Sequence, residues 1–170
     1  MKKIFIGCSS SNELQKKYYD LAREVALQLQ DKYNLVLGGN EGGMMKIIYD
    51  IFSHSNNKIN IIVAKAYNKS HADRHTTKTV VYHSTERTIE LIKCSDIILF
   101  LPGGIGTYTE IFSAIEEKRT NELTIPIIIY NYQGYYDSLI GILNNLYQNK
   151  FNESNISALY EVVTNLNEIN

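Results

Sequence analysis

Residues 96–110 read DIILFLPGGIGTYTE, an apolar run that leads into a loop with three glycines in four positions. The segment from Asp96 to Leu101 has the composition of a buried strand, and the pattern from Gly106 to Lys118 predicts a helix. Glycine loses much backbone entropy on folding, so a cluster of glycines needs a reason. The loop is either a tight turn or a place where backbone amides approach a ligand.

The alternation of short apolar strands with amphipathic helices continues along the rest of the chain. Further strands are predicted at Ile4 to Ile6, Leu35 to Gly39, Ile59 to Ala64, Val80 to Tyr82 and Ile125 to Tyr130. Further helices are predicted at Asn12 to Asp31, Gly42 to Phe52, Ser84 (as the cap) to Cys94, and Tyr135 to Asn149. The polar segment from Ala66 to Thr79 is predicted to be a loop, and residues 156–163 hold a last strand or helix. This order predicts a Rossmann-like, doubly wound α/β domain with a parallel sheet flanked by helices.

The bulk composition is that of a globular protein with one core. The chain has 170 residues, of which 44% are hydrophobic and 21% charged, so we expect a single domain over residues 1–170. The formal net charge of -1 argues against a general nucleic-acid binder, which would normally be strongly basic.

Cysteine content and the first residues bear on the compartment. Cys8 and Cys94 are too few for a disulfide framework, which favours a reducing cytosol. The opening MKKIFIGCSSS has too short an apolar part for a signal peptide, so we interpret it as the first strand. We therefore expect a cytoplasmic protein with no membrane association.

Small residues follow three of the predicted strands. These loops are Gly7 to Ser11, Gly38 to Gly43 and Pro102 to Thr107. In a doubly wound sheet, ligands bind beyond the carboxyl ends of the strands, where the strand order reverses. We expect the three loops to meet there and to form one site.

The third loop is suited to a phosphate group. A strand that runs through glycines into a helix exposes unpaired amides and the positive end of the helix dipole, and Thr107 adds a hydroxyl. The first loop offers only Gly7, so the dinucleotide fingerprint is absent, and no Gly-Lys-Ser/Thr follows as in a Walker A loop. An NAD enzyme and an ATPase are therefore disfavoured. Glu110, about one helical turn after Thr107, is either a catalytic carboxylate or a glutamate favoured by the helix dipole.

The stretch PGGIGTYTE resembles the Pro-Gly-Gly-x-Gly-Thr-x-x-Glu signature of the Lonely Guy family. This family comprises the cytokinin riboside 5'-monophosphate phosphoribohydrolases, which were long mislabelled as lysine decarboxylases. The segments IFIGCSSS, LGGNEGGMMK and YNYQGYYDSLIGIL are also similar to family segments. Arg87 stands nine residues before Asp96, in the place of an arginine of the family.

The resemblance implies hydrolysis of the N-glycosidic bond of a nucleoside 5'-monophosphate, such as AMP or an N6-prenylated AMP, to free base and ribose 5-phosphate. It assigns the essential pair to Arg87 and Glu110. The implied phosphate-binding residues are Gly103, Gly104, Gly106 and Thr107, and further substrate contacts are expected at Ser9, Gly39 and Thr88. It also implies a homodimer whose partner subunit completes the site. We expect no cofactor and no metal.

The sequence departs from the family pattern at several positions around the expected pocket. Asn40 and Lys46 replace glycines and Met44 replaces a leucine, while Thr88 and Thr109 stand where a lysine and an acidic residue are usual. Such differences bear on which base fits. Two alternatives therefore stay open: a broader nucleotide nucleosidase or nucleoside deoxyribosyltransferase, and a non-catalytic carrier of molybdenum cofactor.

Three other features give weaker signals. His71, Asp73 and His75 alternate in a polar loop, which is a poor pattern for a metal site. Neither Cys8 nor Cys94 has an evident histidine partner, so buried thiols are the better interpretation. Lysine decarboxylation is disfavoured because no lysine context for pyridoxal phosphate is recognisable.

Overall fold

A computed structural model of the chain describes residues 1–68, 76–152 and 155–169. Its strands are β1 (Lys3–Gly7), β2 (Asn34–Gly38), β3 (Ile59–Ala64), β4 (Thr76–Val81), β5 (Ile97–Phe100), β6 (Ile127–Tyr130) and β7 (Glu161–Val163). Its helices are α1 (Lys16–Leu29), α2 (Gly43–Ser53), α3 (Ser84–Lys93), α4 (Ile105–Arg119) and α5 (Asp137–Gln148). Short 3-10 turns lie at Lys65–Tyr67, Tyr132–Gly134, Ile156–Ala158 and Leu166–Glu168.

The strands form one parallel sheet in the order β4-β3-β2-β1-β5-β6-β7. The chain builds outward from β1 to β4, and then returns through α3 to place β5 on the other side of β1. The strand order therefore reverses between β1 and β5. This arrangement confirms the predicted Rossmann-like α/β fold, and it puts the ligand-binding edge at the carboxyl ends of those two strands.

Each face of the sheet packs against its own group of helices. Ile4 and Ile6 of β1 lie in a core with α1 and α2, whereas Phe5 lies in a core with α3, α4 and α5. The strands are apolar at successive positions because both of their faces are buried, as is typical of parallel sheets. Full burial of each large apolar side chain contributes about 1.5–3 kcal/mol. The two cores thus hold the helices whose first turns form the site.

The helix starts lie within four residues of those predicted, and the differences at α1 and α3 have an identifiable cause. The first helix begins at Lys16 rather than Asn12, because the Asn12 side chain accepts a hydrogen bond from the Gly43 amide at 2.9 Å. The cap of α3 is His83 rather than Ser84. The Glu86 carboxylate accepts the amide of His83 at 3.3 Å. The hydrogen bond from Gly43 to Asn12 and that from His83 to Glu86 therefore set these two helix starts, against the local sequence preference.

The segment predicted as a loop from Ala66 to Thr79 is partly regular. Thr76–Val81 forms β4 and pairs in parallel with Ile59–Ala64. This strand lies at the edge of the sheet and is largely exposed, so it needs no apolar run. The weak metal candidates His71, Asp73 and His75 lie outside the described residues.

The segment at 156–163 contains both a 3-10 turn and β7. Val163 on β7 is fully buried against the core with α1 and α2. Among the described residues, no helix has the length and apolar character required to cross a bilayer.

Candidate active site

The loops after β1, β2 and β5 meet at the edge where the strand order reverses. The Ser9 amide donates to the Pro102 carbonyl at 3.2 Å, which joins the first loop to the third. The Ser9 carbonyl accepts the amides of Met44 and Met45 at 3.0 and 3.3 Å, which joins the first loop to the start of α2. The backbone of one residue therefore connects all three segments.

A cavity of about 640 Å³ opens at this junction. Its size lies within the range of small-molecule sites. Among its described lining residues, only Arg87 and Glu110 are charged. The remaining side chains of the wall that carry a hydroxyl or an amide are Ser9, Ser10, Ser11, Asn40, Tyr67, Ser84, Thr85, Thr88, Thr107, Thr109 and Ser113.

Arg87 from α3 and Glu110 from α4 form an ion pair in the wall of the cavity. Nη2 of Arg87 lies 3.0 Å from Oε1 of Glu110, and the two side chains are 16% and 7% exposed. Nε of Arg87 is buried and has no hydrogen-bond partner among the described residues. A buried donor without a partner is unfavourable, so holding Arg87 in this position has a cost in stability.

The buried position of Glu110 changes its acidity. Burial raises the pKa of Glu110 to about 7, and the Arg87 guanidinium opposes part of that rise. Near neutral pH the carboxyl therefore exchanges readily between its protonated and ionised forms, which is the property of an effective general base or acid.

Cys8 also borders the cavity, and its thiol is buried. Burial and, secondarily, the charge of Glu110 raise the pKa of Cys8 well above its usual range. A protonated thiol is a poor nucleophile. Cys8 is therefore a small packing residue, as the sequence predicted.

The first turn of α4 forms part of the cavity wall. Gly104 caps this helix without a side-chain hydrogen bond, and the first intrahelical bond runs from the Tyr108 amide to the Gly104 carbonyl at 3.1 Å. The preceding amides of the turn have no intrahelical acceptor. A β-carbon at Gly104 or Gly106 would meet no atom within 4 Å, so this surface is open to a ligand. The turn has the donors and the dipole for an anion.

The structure brings together most of the residues predicted from the sequence. Arg87, Glu110, Gly104, Gly106, Thr107, Ser9 and Thr88 all line the cavity. Thr88 is buried, and its hydroxyl donates to the Ser84 carbonyl at 3.2 Å.

Two predicted site residues lie away from the cavity wall. Gly103 borders a separate, smaller pocket, and a β-carbon there would overlap the side chain of Thr107. A β-carbon on Gly39 would lie 2.7 Å from Cβ of Val63. Both glycines thus permit close packing behind the site, and neither lines the cavity.

Sequence reasoning missed several wall residues that share helix faces with the predicted ones. Ser84 precedes Arg87 by three residues on α3, and Ser113 follows Glu110 by three on α4. Residues three apart on a helix lie on the same face, so this spacing predicts that Ser84 and Ser113 lie beside Arg87 and Glu110. Asn40 was noted only as a departure from the family, yet its amide donates to the Ser10 hydroxyl at 3.2 Å at the cavity wall.

A comparison of the chain with protein-family models identifies its family. A family model described as "Possible lysine decarboxylase" matches residues 44–170. The chain belongs to this family, the Lonely Guy family. The match includes both Arg87 and the glycine loop that precedes Glu110.

Two plant members of the Lonely Guy family illustrate the similarity. A cytokinin riboside 5'-monophosphate phosphoribohydrolase of Arabidopsis thaliana is 28% identical over 146 residues, covering 84% of this chain and 68% of the relative. A rice protein (Oryza sativa subsp. japonica), described as a probable enzyme of the same name, is 26% identical over 153 residues. That alignment covers 88% of this chain and 61% of the rice protein.

Among solved structures, the molybdenum cofactor carrier protein of Chlamydomonas reinhardtii is similar to this Lonely Guy chain with a TM-score of 0.71. The alignment covers 98% of this chain and 91% of the carrier, at 14% sequence identity. At that identity the likeness is one of fold.

Proposed function

We propose that the protein hydrolyses the N-glycosidic bond of a purine nucleoside 5'-monophosphate, releasing the base and ribose 5-phosphate. The observation that carries this proposal is the buried Arg87–Glu110 pair, which shares one cavity wall with the open amide turn of α4. A carboxylate of near-neutral pKa and an anion site are the two groups that this reaction needs. The names of the plant relatives agree with the assignment.

The 5'-phosphate lies in this proposal at the start of α4. Backbone amides and the helix dipole there stabilise a negative charge without a metal or a lysine. Thr107 and the serines of the first loop add hydroxyl donors. Because Arg87 is the only cation among the described lining residues, a monophosphate suits the cavity better than a triphosphate.

Glu110 acts on the ribose carbon. As the C1'–N bond breaks, its electron pair leaves with the base, and the ribosyl carbon gains oxocarbenium character. The Glu110 carboxylate stabilises that charge and accepts a proton from the water whose oxygen bonds to C1'. The departing base takes up a proton from solvent, and Glu110 afterwards releases to solvent the proton that it accepted from the water. The raised pKa suits Glu110 to accept and release protons near neutral pH.

Arg87 acts as a fixed positive charge. A guanidinium does not release its proton under these conditions, so Arg87 is not the general acid. It orients Glu110 through the 3.0 Å ion pair, and the exposed part of its guanidinium borders the cavity, where it can donate to substrate or to the departing base. Its charge also favours the ionised form of the carboxylate.

AMP and N6-prenylated AMP are the proposed substrates. The base would lie against Met45 and Tyr67, which give the cavity wall apolar and aromatic surface, and the wall also carries the Asn40 amide. Stacking on Tyr67 would accept any purine, whereas Asn40 can select by hydrogen bonding.

We place the enzyme in the cytosol as a homodimer. Ile105 is 86% exposed and Phe112 is 41% exposed, and their spacing puts them on one side of α4 beside the cavity. A partner subunit on this surface would bury both side chains and complete the site. Light scattering should give a dimer, and Phe112→Asp should lower its stability; a wild-type monomer at micromolar concentration would remove this part of the proposal.

A nucleotide panel tests the function directly. Purified protein is incubated with AMP, isopentenyl-AMP, deoxynucleotides and pyrimidine nucleotides, and the released base is quantified by chromatography. We expect turnover of at least one purine 5'-monophosphate, reduced by about 100-fold or more in Glu110→Gln. Glu116→Gln on the same helix is the control, because its side chain is 59% exposed. Undiminished turnover by Glu110→Gln or Arg87→Ala would refute the assignment.

The same panel separates the alternatives. A deoxyribosyltransferase would form a new nucleoside when a free acceptor base is added, and a broad nucleosidase would accept pyrimidine nucleotides equally well. A molybdenum cofactor carrier would show no turnover, and it would bind the pterin phosphate even in Glu110→Gln.

A further inference from the structure

Two tyrosine hydroxyls bond to carbonyl groups of the glycine loop that leads into α4. Tyr135 donates to the Gly103 carbonyl at 2.6 Å, and Tyr136 donates to the Leu101 carbonyl at 2.7 Å. Burial raises the pKa of both hydroxyls, so both remain protonated donors at neutral pH. Neither tyrosine lines the large cavity.

The remaining carbonyls of this loop also have donors. The Pro102 carbonyl accepts the Ser9 amide at 3.2 Å, and the Gly104 carbonyl accepts the Tyr108 amide at 3.1 Å. Every carbonyl from Leu101 to Gly104 is therefore bonded within the protein. The open groups of the following turn are amides.

The tyrosine bonds decide which way one of those amides points. In a trans peptide the carbonyl and the following N–H point in opposite directions, and no peptide in the described chain is cis. Tyr135 and Gly103 border a separate pocket of about 160 Å³, and Gly104 borders both this pocket and the large cavity. A Gly103 carbonyl that is held toward Tyr135 therefore turns the Gly104 amide away from Tyr135, and the large cavity is the other space that Gly104 borders.

The two tyrosines are themselves held firmly. Their rings meet edge to face with centroids 5.0 Å apart, and the Tyr136 ring lies 5.7 Å from that of Tyr108. Tyr136 is fully buried, and its amide donates to the Asn131 side chain at 2.7 Å. The Asn131 amide group in turn donates to Asp137 at 2.7 Å. The hydroxyls thus have little freedom to leave the loop.

We infer that Tyr135 and Tyr136 are positioning residues for the phosphate group of the substrate, because they hold the loop with its carbonyls turned away from the anion. A hydrogen bond to a peptide carbonyl also polarises that peptide and strengthens its N–H as a donor. The inference rests on the proposed function, in which the anion is a nucleotide 5'-phosphate.

Tyr135→Phe removes one hydroxyl and tests this role. We expect the KM for AMP and the Kd for ribose 5-phosphate, measured by calorimetry, to rise by about fivefold to tenfold, the effect of one net hydrogen bond. The change in kcat should stay below about twofold, because bound substrate still reaches Glu110. Affinity for adenosine, which has no phosphate, should be unchanged. Tyr136→Phe should act in the same direction, with thermal melting used to select conditions where it is folded.

Tyr160→Phe is the matched control. Tyr160 packs in the same core, and its buried hydroxyl has no partner in the described part of the chain. This variant should leave both KM and phosphate affinity at wild-type values. A purely structural role for Tyr135 would alter stability and kcat without the selective loss of phosphate-bearing ligands.

The binding arm distinguishes failure of this inference from failure of the proposed function. Wild-type turnover of AMP together with unchanged ribose 5-phosphate affinity in Tyr135→Phe would overturn the inference alone. Absence of wild-type turnover, with ribose 5-phosphate binding that weakens in Tyr135→Phe, would overturn the proposed function and support the inference. A wild-type protein that binds no ribose 5-phosphate would overturn the inference.

Discussion

A β-carbon on Gly7 would lie 3.1 Å from Oε2 of Glu110 and 2.6 Å from the ring of Phe100. Gly7 is the last residue of β1, and Glu110 lies in α4 above it. Because Gly7 has no side chain, the Glu110 carboxylate has room to lie at the end of β1, where it pairs with Arg87.

Gly7→Ala should reduce both stability and catalysis. The added methyl group cannot be accommodated without moving Phe100 or Glu110, and overpacking of this kind costs about 1–3 kcal/mol. Displacement of the carboxylate should lower kcat more than it raises KM. Urea denaturation and AMP hydrolysis measure the two effects.

Gly141→Ala is the control for that substitution. A β-carbon at Gly141, inside α5, would meet no atom within 4 Å, so alanine should stabilise the helix by about 0.5–1 kcal/mol. Equal behaviour of the two variants would contradict the steric role of Gly7.

The rate of hydrolysis should depend on the ionisation of Glu110. Because the ionised carboxylate is the active form and its pKa is raised to about 7, kcat/KM should rise with pH and level off above that value. Below it the rate should fall by about tenfold per pH unit. A rate that stays constant between about pH 5 and about pH 8 would rule out Glu110 as the general base.

Arg87→Gln should move that profile to higher pH. The guanidinium opposes the effect of burial on Glu110, so its removal raises the pKa of the carboxylate further. The midpoint of the acid limb should therefore shift upward, in addition to a lower maximal rate. Arg119→Gln on α4, which removes an exposed ion pair with Glu116, should leave the midpoint in place.

The stability of the fold should also respond to Glu110. Because its folded pKa lies above the unfolded value, the folded state binds more protons between about pH 4.5 and about pH 7. The contribution of Glu110 to stability is therefore present below this window and is lost as the pH rises through it. The melting temperature of Glu110→Gln relative to wild type should increase across the same window, whereas that of Glu116→Gln should show no such increase.

Gly103→Ala should disrupt the glycine loop. Its β-carbon would overlap the Thr107 side chain and lie 2.6 Å from Thr107 Cβ. We expect a loss of about 1–3 kcal/mol in stability together with weaker binding of ribose 5-phosphate. A β-carbon at Gly104 would contact no atom within 4 Å, so the free energy of unfolding of Gly104→Ala should be close to that of the wild type. A stable Gly103→Ala protein with full phosphate affinity would contradict this reading of the loop.

Local sequence patterns predicted the parts of the fold that depend on local physics. Buried parallel strands are apolar throughout, so β1, β2, β3 and β5 were found within one or two residues. The strand β4 was mostly missed, because an exposed edge strand can be polar and its pairing with β3 is a long-range contact. The cap of α3 was misplaced because histidine is an unusual cap and the stabilising group is Glu86.

The candidate site was predictable to a different extent in its two halves. The amide turn of α4 follows from the glycines alone, because their effect on the backbone is local. The pairing of Arg87 with Glu110 joins residues 23 positions apart on different helices, and it was expected only through the family resemblance. The tyrosine bonds to the loop were not anticipated, since nothing local connects Tyr135 to a carbonyl 32 residues earlier.

The double role of the Ser9 backbone has a thermodynamic consequence. Its amide and carbonyl fasten the loop after β5 and the start of α2, so the entropy of ordering these segments is lost when the chain folds. A ligand that arrives at this edge meets a surface that is already arranged, and binding need not restrict the backbone again. We therefore expect ligand association to be rapid and to leave the backbone of these loops unchanged.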